Sequence, residues 1–343
     1  DPALDACVRE ILGRGADSPL TTADLWGVET LTVPSEASNL EDLQHFTGLT
    51  TLVIQGQASL NLSFLSQMTE LTTLDLSGST VSAQDLPLIG GLGKLTSLNL
   101  SGCSLSTLSG LESLTTLTSL DLSNNSVSDL SPLAGCKGLT TLNLQRNAIA
   151  SFAPLANLAD LTNLDLSYNA LADFTPVATC VALQSLNVSN NVLPNLSGIG
   201  SLIALAELDA SYNQLTEVTG LGSCTTLKKL SLANNALTAM DELATLVHVT
   251  DMNVSYNDIL TIPDFPADAD LVIFNGCHNY FEDVSGLAGL NTLNYVYLDY
   301  NNISDINVLS SCINLIQVGV FQTNVSDASA LLDMNVIVSY NPT

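Results

Sequence analysis

Basic residues are scarce in this sequence. Its 343 residues include seven Lys and Arg against 34 Asp and Glu, so the net charge is −27, and no Lys or Arg follows Lys229. Nucleic acids and anionic membrane surfaces attract proteins through cationic patches. We therefore expect neither as a partner. The acidity favours either general solubility or a protein ligand with a basic surface.

Aromatic residues and long apolar segments are also scarce. Aromatic residues make up 5% of the chain, and no apolar run approaches the roughly 18 residues needed to span a bilayer. We expect no direct membrane insertion. Because the chain begins at Asp1 and not at Met, we expect any signal peptide to lie outside this sequence.

Motifs for catalysis or metal binding are not found. The sequence has no nucleophile elbow, phosphate loop, His-x-x-x-His pair or Cys-x-x-Cys motif. The three histidines, His45, His248 and His278, lie in different parts of the chain, and we assign them surface or structural roles. We predict that the protein is not an enzyme and holds neither a cofactor nor a metal.

An internal repeat dominates the sequence and is clearest over residues 142–164. Seven consecutive intervals between Leu98 and Met252 are 22 residues long. A period of this length with an L-x-L-x-x-N core is typical of leucine-rich repeats, which stack into a solenoid. We predict an α/β solenoid, a right-handed leucine-rich-repeat horseshoe with about 15 parallel strands. The expected strand centres are Leu31, Leu52, Leu74, Leu98, Leu120, Leu142, Leu164, Leu186, Leu208, Leu230, Met252, Val272, Val296, Val318 and Val336.

Each repeat has a direct physical interpretation. Leu142 and Leu144 alternate with the polar Asn143, which indicates a short strand with one buried face. Asn147 is placed to bond the backbone of the turn that ends the strand. The apolar residues that follow recur about every third position, which favours 3₁₀ turns over a regular helix.

The first 30 residues do not fit the repeat. Asp1-Pro2 starts a predicted helix that Gly13 ends, with Leu4, Val8, Ile11 and Leu12 on its apolar face. We predict a helical N-terminal cap over residues 1–30, because the first repeat would otherwise expose its core, and a repeat domain over residues 31–343.

The cysteines follow the repeat. Cys136, Cys180, Cys224 and Cys312 each precede an expected strand centre by six residues, where other repeats have Leu. We therefore predict buried core thiols and no disulfide framework or metal site. Cys103 and Cys277 fall where the expected register places the strand-ending Asn.

Two neighbouring intervals depart from the period. The expected spacing is 20 residues from Met252 to Val272 and 24 from Val272 to Val296. We assign the two extra residues to a longer turn at 278–281. Such an irregularity is either neutral drift or a functional loop.

The outward position of the strands is polar over most of the chain. Asp and Asn alternate there from Asp75 to Asp209, which favours a solvated face with separated charges. Cation binding by this row is the alternative, but it requires several oxygens that converge on one ion.

The C-terminal strands carry a different surface. The register directs several large aromatic residues toward the concave face or its edge, beside an acidic residue and the expected outward residues Ile273 and Ile337. Exposed Tyr is favoured at binding hot spots. We predict a ligand-binding site, although the rings could instead pack together to close the last repeats. The predicted site residues are Tyr256, Tyr295, Tyr297, Asp299, Tyr300 and Phe321.

The chain resembles the internalin family of bacterial surface proteins. The N-terminal segment with Leu20-Thr-Thr-Ala-Asp24-Leu25 is similar to that family's helical cap, and the repeat over 142–158 with its Pro154-Leu155 pair is similar to its 22-residue unit. The resemblance implies secretion, attachment to the bacterial surface and binding of host or environmental proteins on the concave sheet. Because no wall-anchor signal follows Asn341, we expect a fragment of a longer protein.

The leading hypothesis is therefore a non-catalytic module of a cell-surface or secreted bacterial protein that binds a protein ligand. An intracellular scaffold or regulator of an enzyme is the alternative, slightly favoured by reduced thiols. A third possibility is the recognition domain of a larger enzyme.

Overall fold

The computed structural model describes residues 1–58 and 60–340, with Tyr340 described by its backbone only. The chain divides into two compact units, Asp1–Asn169 and Ala170–Thr343. Fifteen parallel strands follow one another in sequence order, which confirms the predicted α/β leucine-rich-repeat solenoid.

Two helices open the first unit, α1 (Pro2–Leu12) and α2 (Thr22–Trp26). The Asp1 carboxylate accepts from the backbone N–H groups of Ala3 and Leu4, and Gly13 ends α1 at φ 61°. Leu4 and Val8 are buried as predicted, whereas Ile11, expected on the same apolar face, is exposed. The boundary of the predicted cap at residue 30 stays a prediction.

The strands of the first unit are three residues long. In each one the central residue is buried and its two neighbours are more exposed, as the side-chain alternation of a strand requires. The unit contains β1 (Thr30–Thr32), β2 (Thr51–Val53), β3 (Thr73–Asp75), β4 (Ser97–Asn99), β5 (Ser119–Asp121), β6 (Thr141–Asn143) and β7 (Asn163–Asp165).

The second unit continues the pattern with eight strands. The last two are four residues long. The strands are β8 (Ser185–Asn187), β9 (Glu207–Asp209), β10 (Lys229–Ser231), β11 (Asp251–Asn253), β12 (Ile273–Asn275), β13 (Tyr295–Tyr297), β14 (Gln317–Val320) and β15 (Ile337–Tyr340).

Short turns of helix connect most strands, as the apolar spacing predicts. Most are 3₁₀ turns of three to five residues, and α3 (Leu86–Gly90) and α4 (Ser329–Leu332) are single α-helical turns. The 3₁₀ turns of the first unit are Glu41–His45, Ser63–Gln67, Ser131–Leu133 and Ala153–Leu155. Those of the second unit are Val177–Thr179, Ile199–Ser201, Leu221–Ser223, Asp241–Thr245, Ser285–Leu287 and Asn307–Ser311.

A ladder of asparagines ends the strands, as predicted for Asn147. Its side-chain amide donates to the Leu122 and Leu144 carbonyls at 2.9 and 3.1 Å, and its Oδ1 accepts from the Val127 N–H at 2.9 Å. Each Asn thus links two neighbouring repeats. Cys103 occupies the same position in an earlier repeat, and its thiol donates to the Leu76 carbonyl.

The register of β12 differs from the expected one. Met252 pairs with Phe274, which pairs in turn with Val296, so the strand centre is Phe274 and not Val272. Both intervals are therefore 22 residues, and the predicted longer turn at 278–281 is wrong. The ladder residue of this repeat is Asn279, whose Nδ2 donates to the Val254 carbonyl at 3.0 Å, so the assignment of Cys277 to that position is wrong too.

Glycine explains why β12 is misread. Gly276 stands where other repeats have the second inward Leu, so Val272 and Phe274 look like the inward pair. The rings of Phe274 and Phe281 fill the space instead, since a Cβ on Gly276 would lie 2.9 and 2.7 Å from them. Both rings are fully buried, with centroids 6.5 Å apart.

The last strand is also shifted by two residues. Val318 pairs with Val338, so Val338 and not Val336 is the strand centre. Ile273 and Ile337 therefore precede their strand centres, and the residues that follow those centres are Asn275 and Ser339.

The four cysteines predicted to be in the core are buried: Cys136, Cys180, Cys224 and Cys312. The Cys224 thiol donates to the Ile199 carbonyl at 3.3 Å, and the Cys312 thiol donates to the Leu287 carbonyl at 3.2 Å. At Cys224 and Cys312 the core position thus combines apolar packing with one weak donor.

Candidate functional site

The candidate site lies on the solvent-facing side of strands β11 to β15, which we call the open face. Side chains on it come from four positions of each repeat: one before, one after, three after and four after the buried strand centre. Neighbouring repeats place equivalent residues about 4.8 Å apart. The residues at any one position of successive repeats therefore form a row of neighbouring side chains.

The fourth position after the strand centre carries an aromatic row, Tyr256, His278 and Tyr300. The His278 ring lies between the two Tyr rings, with centroids 4.0 and 4.1 Å apart and interplanar angles of 14° and 12°. All three residues have positive φ angles of 54–59°. This left-handed conformation recurs at the same position in neighbouring repeats, so the turn itself places these side chains side by side.

The aromatic row remains open to solvent. Tyr256 is 50% exposed, Tyr300 46% and Phe321 43%. Phe321 meets Tyr300 edge to face, with centroids 6.1 Å apart and planes at 73°. The rings therefore pack on one another, as in the alternative interpretation that they close the last repeats. About half of each of these three side chains nevertheless faces water.

An acidic hollow adjoins the aromatic row; its lining includes Cys277, Asp299, Tyr300 and Phe321. The Asp299 carboxylate accepts from the Phe321 backbone N–H and lies 3.6 Å from the Cys277 Sγ, which donates to it. Tyr297 pairs with Gly319 across β13 and β14. Gly319 leaves room for the carboxylate, because a Cβ there would lie 2.9 Å from Asp299 Oδ2.

The surroundings of Cys277 disfavour its thiolate form. Burial and the nearby Asp299 charge raise its pKa to about 12. A thiol with such a pKa is mostly protonated at neutral pH, which disfavours attack by the thiolate.

The remaining predicted site residue, Tyr295, lies one position before its strand centre. Its row continues with Ile273 on one side and with Gln317 and Ile337 on the other. Tyr295 is half-buried and Ile337 is exposed. This second row runs along the start of the strands and leaves the acidic hollow between it and the aromatic row.

The six predicted residues come from the repeats of β11, β13 and β14, but His278, from the repeat of β12 between them, was missed. The signal was present, because His278 follows Tyr256 by 22 residues and precedes Tyr300 by 22. The misplaced centre of β12 hid this spacing. The other histidines lie away from the row: His45 ends a 3₁₀ turn in the first unit, and His248 Nδ1 lies 2.9 Å from Asp270 Oδ2.

The outward Asp and Asn residues have a backbone role. Their side-chain oxygens accept from the N–H two residues later, as in Asp121 with Ser123 at 2.8 Å and Asn253 with Ser255 at 3.1 Å. Asn143 also donates to Asp121 at 3.1 Å. Over residues 1–58 and 60–340, no group of three or more His, Cys, Asp or Glu side chains is arranged to hold a metal ion.

In the same described part of the chain, no helix is long and apolar enough to cross a membrane.

Comparisons with known proteins point to the same architecture. The family model described as Leucine Rich repeats (2 copies) matches residues 115–157, and the one described as Endo-beta-N-acetylglucosaminidase EndoS LRR domain matches residues 23–125. No curated protein sequence matches the chain.

Among solved structures, an internalin (InlF) from Listeria monocytogenes is 26% identical, with a TM-score of 0.84 over 100% of this chain and 95% of that chain. The functional domain of InlJ from the same species is 22% identical, with a TM-score of 0.76 over 96% of this chain and 76% of that chain. A leucine-rich-repeat protein of Leptospira interrogans is 19% identical, with a TM-score of 0.79 over 92% and 91%.

Proposed function

Because the chain is an internalin-like leucine-rich-repeat protein, we propose that it is a cell-surface or secreted bacterial protein that binds a protein ligand through the open face of β11 to β15. Leucine-rich-repeat proteins are typically non-catalytic interaction modules that bind through extended surfaces. Adhesion or host interaction is the role that this location and this activity together favour.

The exposed aromatic row is the observation that carries the proposal. Tyr and Phe are costly to leave in water, and protein-binding hot spots are rich in Tyr. Three rings stacked in register present a rigid surface that loses little conformational entropy on binding. The exposed Ile337 and the half-buried Tyr295 extend the apolar area beyond the acidic hollow.

Peptide selection on the purified full chain tests the site. A random dodecapeptide display library would be panned on the wild-type protein, and each selected peptide would be tested against a Tyr300→Ala/Phe321→Ala variant. We expect most peptides to lose binding. Tyr212→Ala is the matched control, since Tyr212 occupies the same repeat position and is 55% exposed but lies outside the site.

Protease treatment of intact source cells tests the location. Cleavage of the protein without lysis, or its recovery from the medium, is the expected result. Protection until the cells are lysed would contradict the proposed location and favour the intracellular scaffold.

A second candidate is the recognition domain of a larger enzyme. The match of residues 23–125 to the leucine-rich-repeat domain of an endo-beta-N-acetylglucosaminidase favours it. Reading the gene beyond the codon for Thr343 distinguishes the two, because the second candidate requires a catalytic domain in the same reading frame.

A further inference from the structure

The acidic hollow has the chemistry of a side-chain subsite. Its carboxylate is held in place, since Asp299 accepts from the Phe321 N–H and from the Cys277 thiol. Two aromatic residues lie near it, one from the repeat of Asp299 and one from the next repeat. Tyr297 ends β13 two residues before Asp299, and Phe321, which follows β14, occupies the position of Asp299 one repeat later and lines the hollow.

No cation of the chain neutralises this carboxylate. From Leu230 to the C-terminus the sequence has 13 Asp and Glu and no Lys or Arg. Within residues 1–58 and 60–340, the salt bridges do not include Asp299; the two in the second unit are Lys229 with Glu207 and His248 with Asp270. The field at the hollow is therefore negative and attracts a cation from another molecule.

The first unit shows how this repeat accommodates a guanidinium group beside an aromatic ring. Arg146 and Tyr168 occupy the same position in neighbouring repeats as Tyr256 and His278 do in the second unit. The Arg146 guanidinium carbon lies 4.1 Å from the centroid of the Tyr168 ring. The repeat spacing is thus suited to a stacked cation and ring. The second unit has rings at this position, and no Lys or Arg follows Lys229 to supply the cation.

We propose that the acidic hollow binds an arginine side chain of the protein ligand, with the guanidinium paired to Asp299 and in contact with the Tyr297 and Phe321 rings. This inference rests on the proposed function, whose partner it specifies. Arginine fits better than lysine, because a planar guanidinium both stacks on rings and donates two parallel hydrogen bonds to a carboxylate. Gly319 leaves the space that the Asp299 carboxylate occupies, since any larger residue would meet that carboxylate.

Titration of the full chain with acetyl-Gly-Arg-Gly-amide tests the subsite. The ring signals of His278 and Phe321 report binding by NMR. We expect a saturable shift that is about half complete at roughly 10 mM or below, as for a weak ligand fragment. The citrulline peptide, which has the same shape without the charge, should bind at least about tenfold more weakly.

Two variants with nearly unchanged shape locate the interaction. Asp299→Asn keeps an acceptor for the Phe321 N–H but removes the charge, so it should weaken the arginine peptide about tenfold. Asp209→Asn is the matched control, because Asn187 and Asn253 already occupy that repeat position. It should leave the affinity unchanged, and melting curves confirm that both variants are folded.

Two results would overturn the inference: no saturable shift up to about 50 mM arginine peptide, or equal affinities for the arginine and citrulline peptides. If dodecapeptides selected on the wild type still required Tyr300 and Phe321, only the arginine subsite would be lost. If they bound the Tyr300→Ala/Phe321→Ala variant normally, the proposed function of this face would fail as well.

Discussion

The asparagine ladder makes a quantitative prediction about stability, most clearly at Asn257. Its side chain is buried, and its Nδ2 group lies 3.0 Å from both the Leu232 and the Val254 carbonyl oxygens. Its Oδ1 accepts from the Leu237 N–H at 3.0 Å. An NH₂ group has two protons, so the side chain makes about three full hydrogen bonds.

Asn257→Ala should lower the free energy of unfolding by about 3 kcal/mol. Each lost bond contributes about 1 kcal/mol, and the buried carbonyl and N–H groups left behind have no water to replace it. Equilibrium urea unfolding measures the change, and hydrogen exchange at the Leu237 amide locates it. That amide should lose protection more than amides three or more repeats away.

The chain offers its own controls for this position. Ser79 and Cys103 take the place of Asn in earlier repeats, and each donates to a backbone carbonyl, Ile54 and Leu76 respectively. Asn257→Ser and Asn257→Cys should therefore cost less than Asn257→Ala. An alanine variant as stable as the serine variant, or unchanged protection at Leu237, would refute a bonding role for the ladder.

Three further predictions concern the site. His278→Ala should lower the free energy of unfolding by about 1 kcal/mol and change the near-ultraviolet circular dichroism, because it removes the ring between Tyr256 and Tyr300. The control His248→Ala, which removes an exposed contact with Asp270, should change the free energy of unfolding by less than about 0.5 kcal/mol. Gly319→Ala should lower the free energy of unfolding in urea by about 1–3 kcal/mol, since the new methyl group would lie 2.9 Å from Asp299 Oδ2. A variant with unchanged stability and wild-type binding would contradict the tight fit. Burial and the Asp299 charge raise the pKa of Cys277 from 9.0 to about 12, so the unfolded chain loses this proton first and stability should fall as pH rises above about 9. Cys277→Ser, which places at 277 the residue found at the equivalent Ser255, should reduce that fall. An unchanged pH dependence of stability in this variant would contradict the prediction.

The fold could be predicted because the repeat period carries most of the information. Leu142 and Leu144 point inward, Asn147 ends the strand, and the 22-residue spacing forces identical side chains into rows. Each of these follows from local chemistry that the sequence repeats many times, so an error in one copy leaves the architecture intact.

The register of β12 could not be predicted for a physical reason. Gly276 replaces an inward Leu, and the compensating ring, Phe281, comes five residues later in the chain. The alternation of hydrophobic residues along one strand cannot show that the space beside a glycine is filled by a side chain from a later turn. The error moved Cys277 and His278 out of their rows, although both lie 22 residues from their neighbours in the site.

The candidate site was predictable only in part. Exposure of Tyr256, Tyr300 and Phe321 followed from their register, but the packing between them did not, since stacking depends on the left-handed turn that aligns the rings. The hydrogen bond from the Phe321 N–H to Asp299 joins adjacent repeats at a point where Gly319 leaves space. Such an interaction has no signature within one repeat.

The most direct test of the central claim is the dissociation constant of a wild-type-selected dodecapeptide, measured by calorimetry on three proteins. We expect the Tyr300→Ala/Phe321→Ala variant to bind at least about tenfold more weakly than wild type, as for the loss of a hot spot. The Tyr212→Ala control should bind like wild type. Equal dissociation constants for all three proteins would contradict the assignment of ligand binding to the aromatic row.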